Sequence, residues 1–97
     1  MSDIENTIKE RTKTCGEFRD ITKTSYDLKY ILRQGDKFPR IPPYMVEAID
    51  MTAHKLARIV QGDPLFIDHW RDIQGYARLV ENELEQNALL SNFEKGH

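Results

Sequence analysis

The chain has 97 residues, of which 39% are hydrophobic and 31% are charged, and its formal net charge is −2 at pH 7. This length suits one small domain, and the balance of residues is typical of globular rather than disordered proteins. The slightly acidic charge argues against non-specific binding to a nucleic-acid backbone. We therefore predict a single domain over residues 1–97.

Cysteine content and hydropathy indicate where the protein resides. Cys15 is the one cysteine, so no disulfide can form within the chain, as is usual in reducing compartments. No apolar run reaches the roughly 18–20 residues needed to span a bilayer, and the N-terminus has no signal-peptide pattern. We expect a cytoplasmic protein that does not associate with membranes.

The first half of the chain predicts two helices. The first covers residues 3–14, with Ser2 as its N-cap and Glu5 completing a capping box. The second covers residues 18–34, where apolar residues recur at helical spacing, and Gly35 supplies its C-terminal cap.

The second half of the chain predicts two more helices, which follow the linker GDKFPRIPP (35–43). Prolines exclude regular structure from this linker, and Pro43 lies in the first turn of a third helix that Gly62 ends. A fourth helix follows over about 67–90, and a frayed tail is expected over 91–97.

The fourth helix carries an apolar row that predicts close packing against the third. The row consists of Phe66, Trp70, Ile73, Ala77, Val80 and Leu84. Gly75 is expected to let another helix approach. Because few residues join them, the last two helices should form an antiparallel hairpin. The predicted fold is all-α, a four-helix bundle-like domain with a C-terminal antiparallel helical hairpin. Such a short chain leaves apolar surface uncovered, so a homo-oligomer, specifically a two-fold dimer, is expected.

A second set of residues on the hairpin is polar, and the apolar row does not account for it. These residues are Glu47, Asp50, Lys55 and Arg58 on the third helix and Asp68, Asp72 and Tyr76 on the fourth. Spacings of three and four place neighbours on one helix face. The hairpin would bring the end of the third helix beside the start of the fourth, so its basic residues should lie near the aspartates.

Three interpretations of this polar set are open. Lys55 and Arg58 could form ion pairs with the aspartates, which contribute little to stability where they are exposed. Alternatively, Glu47, Asp50 and Asp72 could hold Mg²⁺, which prefers carboxylate oxygens. The ligand-binding residues would then be Lys55, Arg58, Asp68 and Tyr76. The third interpretation is a pocket for an anion or nucleotide without metal. His54 and His69 lack the further ligands that a zinc site needs.

Three segments resemble a family of small proteins encoded by phages and prophages. They are ERTKTCGEF (10–18), KLARIVQGD (55–63) and DHWRDIQGYA (68–77), the last matching D-x-W-x-D-I-x-G-Y-A. Cys15 stands where that pattern has an aromatic residue. The resemblance covers most of residues 10–84 and implies host cytoplasm as the location, but it implies no particular activity.

A more distant similarity is to the all-α nucleotide pyrophosphohydrolases of the MazG type. Their metal site uses E-x-x-E on one helix and E-x-x-D on a later helix. Glu47 and Asp50 resemble the first pair, and Asp72 resembles the last acid of the second. His69 stands where that family has a carboxylate. The similarity implies a nucleotide ligand and Mg²⁺, and it leaves open whether the chain is a metal-dependent nucleoside triphosphate pyrophosphohydrolase.

Two functions from different classes follow. The first is binding of a nucleotide or phosphate ligand, with weak or no catalysis. The alternative is a non-catalytic helical module that binds a host or phage protein, which the aromatic and proline content of KFPRIPPY (37–44) favours. Sequence-specific DNA binding is not expected, because no predicted helix clusters Arg, Lys, Asn and Gln on one face.

Overall fold

The computed structural model describes the backbone of residues 3–95 and the side chains of residues 3–88. In this part the chain forms four α-helices, a short 3₁₀ helix and no strand. The α-helices are α1 (Asp3–Cys15), α2 (Phe18–Leu32), α3 (Pro43–Gln61) and α4 (Ile67–Lys95). The predicted all-α fold is therefore confirmed. The predicted N-cap, Ser2, lies outside the described residues.

The ends of the helices agree with the glycines and prolines of the sequence except at Gly35. Pro43 begins α3 and Gly62 caps its C-terminus, as predicted. The cap of α2 is Arg33, whose N–H donates to the carbonyl of Lys29 at 3.1 Å. Gly35 lies in the following turn and lacks the positive φ of a glycine cap, so that prediction was wrong.

The fourth helix is longer than predicted. Its backbone remains helical to Lys95, whereas the sequence predicted an end at about residue 90. The expected frayed tail, 91–97, lies beyond the described side chains, and residues 96–97 lie outside the described residues altogether. The fraying therefore stays a prediction.

The third helix is central, because α1, α2 and α4 all pack against it. Helices α2 and α3 are antiparallel. Arg33, at the end of α2, contacts Asp50 in the first half of α3, and Thr24, earlier in α2, accepts a hydrogen bond from Gln61 at the end of α3. The pairing of Lys55 with Asp72 fits the same antiparallel arrangement for α3 and α4. The molecule is elongated, with dimensions of 66 × 26 × 23 Å.

The buried core is small for a chain of this length. Among the described side chains, the buried apolar ones are Ile21, Ala53, Ala57 and Ile59. Two of these four are alanines, which bury little apolar area each. The hydrophobic interior therefore lies along α3, and much of the larger apolar surface stays exposed.

The face of α4 that packs inward is rotated from the predicted one. His69 is buried, at 2% exposure, whereas Trp70 is 46% exposed and its indole N–H donates to the carbonyl of Pro64 at 3.0 Å. The inward row is Phe66, His69, Ile73, Tyr76 and Val80. Trp70, Ala77 and Leu84 are exposed and were thus wrongly placed in this row, because a polar His69 was not expected inside.

The first helix is held by close backbone contact at a junction between residues 14–16 and residues 61–63, which we call the α1 junction. A Cβ atom built on Gly16 would lie 2.4 Å from the carbonyl oxygen of Gln61, and one on Gly62 would lie 2.4 Å from that of Thr14. Gly16 also has a φ of +90°, which favours glycine. A Cβ atom built on Gly75, in contrast, would meet no atom of another element within 4 Å, so the predicted helix contact of Gly75 is absent from the described chain.

Candidate functional site

Asp50, a predicted metal ligand, is bound by an arginine from another helix. Both carboxylate oxygens of Asp50 accept hydrogen bonds from the guanidinium of Arg33, each at 2.8 Å. This hydrogen bonding is the main reason that the pKa of Asp50 lies below its ordinary value. Arg33 belongs to the end of α2, so the ion pair fastens α2 to α3.

Asp72, another predicted metal ligand, forms an ion pair with Lys55 across the hairpin, at 2.8 Å. Hydrogen bonding to Lys55 is the largest cause of its lowered pKa, with a smaller contribution from the charge of Arg58. The predicted ion pairing between α3 and α4 is confirmed for these two residues. Asp68 instead contacts Arg71 of its own helix, at 3.6 Å.

The predicted magnesium ligands do not assemble into one site. Glu47 is exposed and lies along a shallow depression between α3 and α4. Among the described residues, no group of three or more His, Cys, Asp or Glu side chains could hold a metal ion. The residues present therefore do not fit Mg²⁺ while Asp50 and Asp72 bind their basic partners, and magnesium binding stays a prediction.

The four predicted ligand-binding residues are also separated. Lys55 is occupied by Asp72, and Asp68 is occupied by Arg71. Arg58 lines a cavity beneath α1. Tyr76 lines an apolar groove, and it also lines shallow depressions that it shares with Asp72 and with Glu47. The sequence grouped these residues because they share the hairpin, but they face different neighbours.

A large concave surface of the described chain is an apolar groove, which we call the α2–α4 groove. Its volume is about 610 Å³, with α3 as its floor and α2 and α4 as its walls. It is lined by Leu28, Leu32, Met45, Ala48, Ile49, Thr52, Ala53, Leu56, Tyr76, Ala77, Val80 and Leu84. None of these residues is charged. The apolar spacing of α3 and α4 was predicted, but it suggested a filled core rather than an open groove.

Comparison of the chain with protein-family models, with curated proteins and with solved structures finds no match. The resemblances to the phage-encoded family and to the MazG type therefore stay predictions from the residues alone. Within the described part of the chain, no helix combines the length and apolarity that a bilayer span requires.

Proposed function

We propose that this chain is a non-catalytic helical interaction protein whose binding surface is the α2–α4 groove, and that a second copy of the chain occupies the groove. The observation that carries the proposal is the uncharged lining of this groove. Apolar side chains that face water do so at a free-energy cost, and a partner that covers them removes that cost. A second copy of the chain presents the same uncharged apolar lining, so each copy can cover the apolar side chains of the other.

The surface area of the chain supports a second copy. The accessible surface is 7731 Å², whereas a compact monomer of 11.4 kDa exposes about 5,800 Å². The excess of roughly 2,000 Å² lies within the about 1,000–2,500 Å² that each subunit of an obligate dimer buries. The chain thus exposes about as much extra surface as a stable two-fold interface would cover.

The distribution of charge around the groove has the character of a subunit interface. Such interfaces have an uncharged apolar centre and a polar rim. Arg33 and Asp50 directly follow the groove residues Leu32 and Ile49 in sequence, and Lys55 precedes Leu56. The ion pairs Arg33–Asp50 and Lys55–Asp72 therefore flank the groove. In a two-fold dimer a wall of each groove would enter the groove of the other copy, because an isologous interface uses the same self-complementary patch twice.

A metal-dependent nucleotide pyrophosphohydrolase is less well supported. Its metal would need the carboxylates of Asp50 and Asp72, and both are bound to basic side chains at 2.8 Å. Opening two ion pairs would offset part of the free energy of metal binding. For this reason we place the function in the groove rather than in the acidic row.

Sedimentation equilibrium of matched charge insertions tests the proposal. Leu32→Glu and Leu84→Glu each place a carboxylate in a wall of the groove, at positions that are 40% and 49% exposed within one chain. We expect the unmodified protein to be a dimer and each variant to dimerise roughly 30-fold more weakly or worse, as at an interface hot spot. Leu65→Glu is the control, because Leu65 is 88% exposed and lies in the turn before α4.

Because all three positions are exposed, each variant should retain its helices, and circular dichroism measures whether it does. A monomeric unmodified protein at hundreds of micromolar would overturn the proposal. An equal loss of dimer in Leu65→Glu and the groove variants would also overturn it, because the interface would then not be the groove.

A further inference from the structure

A second cavity lies between α1, α2 and α3 and shares no lining residue with the α2–α4 groove. Its volume is about 310 Å³, near the lower end of small-molecule sites. Arg11 reaches it from α1, and His54 and Arg58 reach it from α3. Ile8 and Ile21 form an apolar part of the wall. The cavity thus combines basic groups with an apolar surface.

The two arginines of this cavity have no acidic partner. Among the described residues, the guanidinium groups of Arg11 and Arg58 form no ion pair and no side-chain hydrogen bond. Asp72 lies within electrostatic range of Arg58, but its carboxylate is bound to Lys55. Within the described part of the chain, therefore, no carboxylate forms an ion pair with either arginine of the cavity.

His54 shows that this region is electropositive. Its Nδ1 lies 3.3 Å from the hydroxyl oxygen of Ser25. Burial lowers the pKa of His54 first, and the charges of Arg58, Lys29 and Lys55 lower it further. An electropositive cavity with apolar walls favours an anion that carries an organic group.

We propose that this cavity binds a small organic phosphate monoester, with the phosphate between Arg11 and Arg58 and the organic group against the apolar wall. Two guanidinium groups match the charge of about −1.5 to −2 that a phosphate monoester carries at pH 7. Guanidinium also presents paired donors to phosphate oxygens, which strengthens the contact. The exposed ring of Phe18 lies at the cavity and adds an apolar face for the organic group.

Docking of α1 completes this site. Arg11 lies one turn before the α1 junction and lines the cavity together with Arg58. The close backbone contacts of Gly16 with Gln61 and of Gly62 with Thr14 therefore hold Arg11 at the cavity. A bound phosphate would bridge α1 and α3 and so favour the docked position of α1. This binding is independent of the proposed dimer, because the two surfaces share no lining residue.

Titration with phenyl phosphate, followed by amide chemical shifts, tests the inference. We expect saturable shifts that cluster around the cavity, and a dissociation constant that rises roughly tenfold in Arg11→Gln and in Arg58→Gln. Arg78→Gln is the matched control, because Arg78 does not line the cavity and, among the described residues, its one ion pair is with Glu81 of its own helix, at 3.8 Å. The control should bind phenyl phosphate within about twofold of the unmodified protein.

Benzoate separates a phosphate from any carboxylate-bearing ligand. It carries one charge on the same ring, so it should bind at least roughly fivefold more weakly than phenyl phosphate. Equal affinity for benzoate would overturn the assignment of a phosphate. The absence of saturable shifts at 10 mM phenyl phosphate, or equal losses in all three arginine variants, would overturn the site. Because Arg11 is exposed, Arg11→Gln retains the fold even if Arg58→Gln does not.

Discussion

The α1 junction and the α2–α4 groove solve opposite packing problems. At the junction, two glycines allow the backbones of residues 14–16 and 61–63 to touch, and the N–H of Asp63 donates to the carbonyl of Thr14 at 3.0 Å. In the groove, large apolar side chains surround an unfilled volume of about 610 Å³. At the junction, therefore, the backbone groups of the chain bind one another, whereas the apolar side chains of the groove face an open space.

The junction explains how a helix without an apolar core contact is held in place. No side chain of α1 is buried, so hydrophobic burial contributes little to its docking. His69 adds a polar contact, because its Nε2 lies 3.2 Å from the carbonyl oxygen of Thr14 and 3.8 Å from the sulfur of Cys15. The two regions therefore differ in how they pack. Close backbone fit holds α1 in place, whereas the groove is an open apolar surface, which we propose that a second copy covers.

Among these substitutions, Gly62→Ala at the α1 junction is expected to have the largest effect on stability. The new methyl group would collide with the carbonyl oxygen of Thr14, so either the backbone must move or α1 must detach. We expect a loss of about 2–3 kcal/mol in the free energy of unfolding, measured by urea denaturation, and faster amide exchange in α1.

Gly75→Ala is the matched control for that substitution. Gly75 lies within α4, and a Cβ atom added there would meet no atom of another element within 4 Å. Alanine at this position should therefore stabilise the protein by about 0.5–1 kcal/mol through helix propensity. Equal destabilisation by both substitutions would contradict the distinction between a closed junction and an open face of α4.

An intermediate effect is expected at the rim of the groove, from the Arg33–Asp50 ion pair. A double-mutant cycle with Arg33→Gln and Asp50→Asn should show a coupling of roughly two- to fivefold in the equilibrium constant for unfolding. Because the pKa of Asp50 is lowered in the folded protein, this contribution is present above pH 3.8 and is lost as the pH falls through the folded value. A coupling of zero would contradict the contribution of this ion pair to stability. Stabilisation by Mg²⁺ that Asp50→Asn abolishes would favour a metal site instead.

The smallest effect is a dependence of stability on pH through His54. Its folded pKa lies below the ordinary value of 6.5, so the unfolded chain binds more protons and stability rises with pH. The contribution is complete above about pH 6.5 and is lost as the pH falls from there towards the folded value. The melting temperature should therefore fall between pH 7.5 and 5.5, and His54→Gln should flatten this fall. An unchanged slope in the variant would contradict the role of His54.

Local sequence signals predicted the helices well, because prolines, glycines and apolar spacing act over only a few residues. The start of α3 at Pro43 and its end at Gly62 are examples. The Lys55–Asp72 pair was also predictable, since a short hairpin fixes its own register. The Arg33–Asp50 pair was not, because the sequence of the irregular linker between α2 and α3 does not define how these two helices align.

Tertiary contacts decided the features that the sequence could not predict. The inward face of α4 depends on His69 meeting the backbone of Thr14, which comes from the other end of the chain. A row that contains a histidine gives no apolar signal at that position, so the rule of apolar spacing selected Trp70 instead. The same limit applies to glycine, because spacing did not reveal that Gly16 and Gly62, rather than Gly75, allow close approach.

The most direct test of the central claim, that a second copy covers the α2–α4 groove, is an isotope-filtered nuclear Overhauser experiment on a mixture of labelled and unlabelled protein. We expect contacts between chains from the methyl groups of Leu28, Leu56 and Val80, which line the groove. Contacts between chains that involve only Ile4 and Ile8 of α1, or none at all in a monomeric sample, would contradict it.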